Sequence, residues 1–224
     1  MIPVRTLGLF FGKVVAVYLM GVAAWNGAGA DRPYLYAFRE THTQFFRVLG
    51  KMGVSWVVVL TEPEAKSGAF DTDLNVLNTV NKTMGTQPLT AQYRGYAPTL
   101  LLCSLIVATP LSWARRGLAL VMGAALLHTW IAFGIFLLVL KAYVTPGELM
   151  LYQWSDTSRS VLYFITEVIS TSTATQFAVP VLVWALVTFR TGDAAALLGI
   201  RNESVQSRAP SAAPPQRKAR GQRR

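Results

Sequence analysis

The sequence is poor in the side chains that build catalytic and metal centres. Cys103 is its one cysteine, and His42 and His128 are its only histidines. A lone cysteine inside an apolar run cannot staple a domain, and its simplest role is that of a small buried hydrophobe. No CxxC or HExxH spacing is present to hold a metal, and no Walker-type phosphate loop or dinucleotide fingerprint occurs. No catalytic, cofactor-binding or metal-binding residues are therefore expected. Charge is scarce as well: Asp, Glu, Lys and Arg supply 14% of the 224 residues, about half of what a water-soluble domain carries. Water is not the main solvent this composition suits.

Hydrophobic residues make up 52% of the chain, and they cluster in blocks of about 20 residues, the length that crosses a bilayer's hydrocarbon core. The predicted class is a membrane protein, mainly α, with four transmembrane helices and a small α+β extracytoplasmic domain between the first and second. Residues 1–25 supply the first helix, whose apolar stretch LGLFFGKVVAVYLMGVAAW is interrupted by Lys13 near its start, where the side chain can extend to the interface. The competing reading is a signal peptide or uncleaved signal anchor, with Arg5 as the charged region and Ala28-Gly29-Ala30 as a small-residue cleavage site. The apolar stretch exceeds the usual length of about 7 to 15 residues for such a signal. Residues 96–141 form a hairpin of two helices around Arg115 and Arg116, 142–159 an outer connector, and 160–189 a fourth helix broken by Pro180. Residues 190–224 are a basic tail, rich in Ser, Ala, Pro and Arg, that is expected to be disordered.

Between Asn26 and Gly95 the composition turns polar. Leu35, Phe38, His42, Phe45, Phe46, Leu49 and Met52 recur at helical spacing behind a helix start at Asp31 and Pro33. Three strands are predicted beyond it: Val54 to Leu60, Asp73 to Val80 and Leu89 to Tyr93, the last two separated by a turn-prone Asn81–Pro88 stretch. Asp71 and Asp73 read as solvated turn residues.

The net charge of +10, from 21 Lys and Arg against 11 Asp and Glu, suits an anionic membrane surface or a nucleic acid, and position favours lipid. Eight of the basic residues follow the last apolar block, beginning at Arg190. Arg5, Arg115, Arg116 and Arg190 fall on one side of a four-span chain, so the positive-inside rule assigns both termini to the cytoplasm of an inner membrane. Membrane lipids are expected partners, with Arg115, Arg116 and Arg190 setting topology and meeting headgroups; nucleic acid is not.

Two ionisable residues lie inside the spans, where they are costly and therefore candidates for function: Glu167 and His128. They could serve a small transporter or proton-linked subunit, or be satisfied by neighbouring helices. Ser170, Thr171, Thr173 and Thr175 spread hydroxyls around the fourth helix, which suits packing against another helix or a partner. A substrate path is the bolder reading.

From Asp71 to Lys141 the stretches DTDLNVLN, RGYAPTLLL and ATPLSWARR resemble the exosortase H associated membrane protein group. The resemblance implies a noncatalytic accessory component of a protein-sorting locus in a bacterial inner membrane. It implies an exosortase or related membrane protein, or an exported substrate, as partner. A cysteine transpeptidase of the exosortase kind would need a membrane-embedded Cys, Arg and His. Cys103 lacks the small-residue context of such a nucleophile, and helix rise puts it roughly 10 Å from the depth of His128.

Overall fold

The computed structural model describes residues 4–50, 56–64 and 70–189. It is mostly helical, with one small antiparallel sheet. Helix α1 spans Val4–Gly27, α2 Asp31–Gly50, α3 Ala97–Ala108, α4 Trp113–Val144, α5 Asp156–Thr166 and α6 Thr173–Thr188. Strands β1 (Trp56–Thr61), β2 (Thr72–Asn78) and β3 (Thr83–Leu89) lie in sequence order, each antiparallel to the next.

Two helices are long and apolar enough to cross a membrane, Gly8–Gly27 and the 32-residue α4, and a third crossing is possible if α5 and α6 are taken as one bent span. The expected second span is shorter as a regular helix: α3 has 12 residues, about 18 Å at the α-helical rise. A π-helical turn, Gln92–Tyr96, runs directly into it. Small residues let these helices approach closely. A side chain at Gly21 would collide with Leu100 of α3, and one at Gly123 of α4 would press on Leu102 and Ile106.

Aromatic and basic side chains gather at the two ends of the bundle. At one end Trp184 of α6 packs 5.9 Å from Phe10 of α1 and donates its indole N–H to Thr109 at 2.8 Å. There Arg116 lies over the Trp113 ring and donates to the Thr109 carbonyl, while Arg115 reaches the Thr188 carbonyl. Both arginines thus satisfy carbonyls that helix C-termini leave without partners. They occupy the first turn of α4 rather than the interhelical turn, which is formed by 109–112. At the other end the rings of Trp25, Tyr34 and Tyr96 pack edge-to-face or tilted with centroids 4.3 to 6.0 Å apart, and the Tyr96 hydroxyl donates to the Gly21 carbonyl.

The polar segment builds the sheet, as expected, but with a shifted last strand. β3 occupies Thr83–Leu89, most of the stretch predicted to be a turn, and Leu89–Tyr93 is largely helical. The turn is compressed into Thr79–Lys82, with Lys82 in the left-handed region at φ 55°. Pro88 is tolerated because β3 is an edge strand, where a missing N–H need not leave a neighbour unpaired. Asp71 then starts the helix: its two carboxylate oxygens accept from the backbone N–H groups of Ala91 and Gln92 at 2.7 and 3.0 Å. It is a helix cap, not a solvated turn residue.

Alternation decides the faces of the sheet. Trp56, Val58, Leu60, Leu74 and Val76 point inward and share one core with Phe38 and Phe46 of α2 and with Ile135, Val139 and Tyr143 of α4. Arg39 binds α2 to the sheet through the Asp71 carbonyl, the Thr72 hydroxyl and an ion pair with Glu62.

The predicted fourth helix breaks, though not at Pro180, which sits inside α6. The break is at Ser172, after a π-helical turn over Glu167–Thr171, and the helices on either side diverge by 65°. Hydroxyl side chains explain the place. Thr175 donates to the Val168 carbonyl and competes there with the regular ladder around Ser172, while Ser170 donates across to the Gly134 carbonyl of α4. Loss of a helix cap costs about 1–2 kcal/mol. Asp71→Ala should lower stability by that amount, read as a fall in unfolding temperature in detergent, whereas Asp73→Ala on the outer sheet face should leave it nearly unchanged.

Candidate functional site

Three places collect side chains that the fold alone does not require. The first is the contact of the two histidines. His42 is buried at the middle of α2, and its ring centre lies 5.6 Å from that of His128 on α4. Its Nδ1 is 2.8 Å from the Phe38 carbonyl, a distance at which Nδ1 carries the proton and donates. Burial disfavours the charged imidazolium and lowers the His42 pKa to about 4; the bond to the Phe38 carbonyl opposes this and nearby His128 reinforces it. The Nδ1 of His128 is buried without a hydrogen-bond partner among the described residues.

Glu167 is not part of this contact. It is exposed at the start of the π-helical turn, and no hydrogen bond or ion pair joins it to His128 among the described residues. The two ionisable residues singled out in the sequence are therefore not brought together. Sequence periodicity placed His42 on the buried face of α2 but gave no sign of its partner, because the pairing is set by how α2 packs on α4.

The second place is a cleft between α4, the π-helical turn before α3, and the broken helix. Arg94, Pro98, Trp130, Ser170, Thr175 and Gln176 are among its walls, and its volume is about 40 Å³. A water needs about 10–15 Å³ by this kind of measure, so the space holds a small polar group and no more. Arg94 has no ion pair or side-chain hydrogen bond among the described residues, and burial lowers the pKa of its guanidinium. Of the hydroxyl set, Ser170 is buried and Thr175 lines the cleft. Thr173 is exposed and borders an adjoining cleft with Tyr93, Ala97, Pro98, Gln176 and Phe177. The side chain of Thr171 lies outside what is described, as does Arg190. Ser170 thus packs within the chain, on Gly134.

The third is the outer face of the sheet. Val57, Val59, Leu77 and Met84 form an apolar strip on it, with Phe70 beside them and Glu62, Glu64 and Asp73 at one end. Among the described residues no group of three or more His, Cys, Asp or Glu could hold a metal ion.

No family model, curated protein or solved structure matches the chain.

The His42 pKa gives stability a pH dependence with a definite sign. Below pH 6.5 the unfolded chain takes up a proton that folded His42 refuses until about pH 4. Its contribution is complete above about pH 6.5 and is lost as the pH falls toward 4, amounting to about 3 kcal/mol. Unfolding temperature in detergent should fall between pH 7 and pH 4.5, and His42→Phe should flatten that slope; an equal slope in both proteins would assign the acid sensitivity to other groups.

Proposed function

We propose that the chain is an integral inner-membrane accessory protein without a catalytic role, in which four membrane-crossing segments hold the three-stranded sheet outside the cytoplasm to engage a partner. The observation that carries the proposal is the outer face of the sheet. Val57 and Met84 are 46% and 68% exposed there, on a sheet whose inner face is already filled by α2 and α4. A half-apolar face of this kind, left open beside a membrane, suits an extended or helical segment of another protein. Its acidic end, with Glu62, Glu64 and Asp73, favours a basic segment. The resemblance of the Asp71–Lys141 region to the exosortase H associated group makes an exosortase or its exported substrate the partner to test first.

The two ends of the bundle support the four-crossing arrangement. From Phe10 to Trp25, from Trp113 to Trp130 and along α6 the rise is roughly 22 to 26 Å in each case, close to the thickness of a thin hydrocarbon core. The end holding Arg115 and Arg116 is cytoplasmic by the positive-inside rule. The C-terminal half of α4 then leaves the membrane and enters the core of the outer domain.

In a Cys103→Ala background, cysteine placed at Val80 should react with a membrane-impermeant thiol reagent on cells with a permeabilised outer envelope, and cysteine at Ser112, exposed just before α4, should react only after the inner membrane is opened. The reverse pattern would overturn the orientation. A photo-crosslinking residue at Val59 or Met84 should form an adduct with a co-expressed exosortase or its substrate, and the same residue at Leu118 on the lipid-facing side should not. Equal capture from both places, or none from the sheet, would remove the sheet as the docking surface.

A further inference from the structure

The donor inventory of the small cleft is one-sided. Arg94 offers the N–H groups of a guanidinium, Gln176 a side-chain amide and Trp130 an indole N–H. None of these donors has a hydrogen-bond partner among the described residues. The hydroxyls of Ser170 and Thr175 already donate to backbone carbonyls. No carboxylate lines this cleft or the adjoining one. The Arg94 guanidinium is half-buried and lacks a counter-charge among the described residues, and an anion in the cleft would supply that charge with charge-assisted hydrogen bonds.

The surroundings specify what carries the anion. The walls other than these donors are apolar, including Leu127, Ile131 and Ile135. The volume of about 40 Å³ accepts a phosphate-sized group and excludes a bulky ligand. Pro98 and Gln176 are shared with the larger adjoining cleft, of about 420 Å³, whose other walls include Ala97 and Phe177. The adjoining cleft is also bordered by Tyr93 and Thr173, and its Ala97, Pro98 and Phe177 side offers an anionic head an apolar surface for a hydrocarbon chain. Arg94 lies three residues before the start of α3, in the same π-helical turn as Tyr96 of the Trp25, Tyr34 and Tyr96 cluster that marks the outer end of the bundle, which is the level of lipid headgroups.

The geometry points to a specific site for an anionic phospholipid of the outer leaflet, its phosphate on Arg94 and Gln176 and one acyl chain along Pro98 and Phe177. The choice of leaflet rests on the orientation proposed above; the dependence on Arg94 does not. Occupancy would brace the break at Ser172, because the lipid would touch residues on both sides of it.

The test uses the full chain purified in detergent, with native mass spectrometry of bound lipid after titration with phosphatidylglycerol or phosphatidylcholine. The protein should retain phosphatidylglycerol at least 10-fold more tightly than phosphatidylcholine. Arg94→Gln should abolish that preference, Gln176→Leu should weaken it, and Arg159→Gln, at a distant exposed pair with Asp156, should preserve it. Inorganic phosphate at millimolar concentration should not displace the lipid. Equal retention of the two lipids, an unchanged preference in Arg94→Gln, or full displacement by inorganic phosphate would each overturn the proposal. If Arg94→Gln fails to fold, Arg94→Lys with Gln176→Leu provides the same comparison with the charge kept: a preference equal to that of the unaltered protein would again overturn it. Failure of the cysteine labelling pattern would change the leaflet and leave these outcomes as they stand.

Discussion

One helix serves two environments, and the rest of the molecule is arranged around that fact. α4 presents Gly123 and Leu127 to α3 and the bundle, then Ile135, Val139 and Tyr143 to the sheet and α2. Its 32 residues cover roughly 48 Å at the α-helical rise, well beyond a hydrocarbon core of about 30 Å. A continuous apolar helix of this length cannot be solvated by lipid throughout. The surplus must be covered by protein, and the polar segment before α3 supplies the cover. The helix bundle and the small sheet therefore share one core, and neither is a separable domain.

Backbone breaks follow from the same constraint. In apolar surroundings every freed N–H or C=O needs another partner. At 109–112 the Thr109 carbonyl accepts from Arg116 and from the Leu111 N–H. Around Ser172 the Val168 carbonyl accepts from the Thr175 hydroxyl and the Glu167 carbonyl from the Ser172 N–H. The two arginines that the positive-inside rule singles out in the sequence also bond the carbonyls of helix ends. Their charge and their hydrogen-bonding geometry perform separate tasks.

The long apolar helices, the amphipathic α2 and the first two strands were legible because each has a strong period and a clear boundary. α2 begins at Asp31, as its capping chemistry predicted, and β1 and β2 fall inside or beside their β-branched runs. β3 was misplaced because Gly85 and Pro88 mark turns in most contexts, and only the edge position makes them acceptable in a strand. The break at Ser172 was obscured by Pro180, a stronger local signal that the packed bundle accommodates. The candidate sites were less legible than the fold. Glu167 and His128 stood out by being ionisable within apolar runs, yet the groups that meet His128 and line the cleft come from α2 and from the turn before α3. Their proximity is a property of packing between segments distant in sequence.

The connector after α4 has a mechanical consequence. Thr83 donates to the Glu148 carbonyl, Leu149 lies over Gly85, and Tyr143 donates to the Leu77 carbonyl. On its other side, Thr145 bonds the Tyr163 hydroxyl and Lys141 sits over the same ring. These contacts fasten the connector to β3 on one side and to α5 on the other, so the sheet and the broken helix are tied through a braced segment rather than a slack loop.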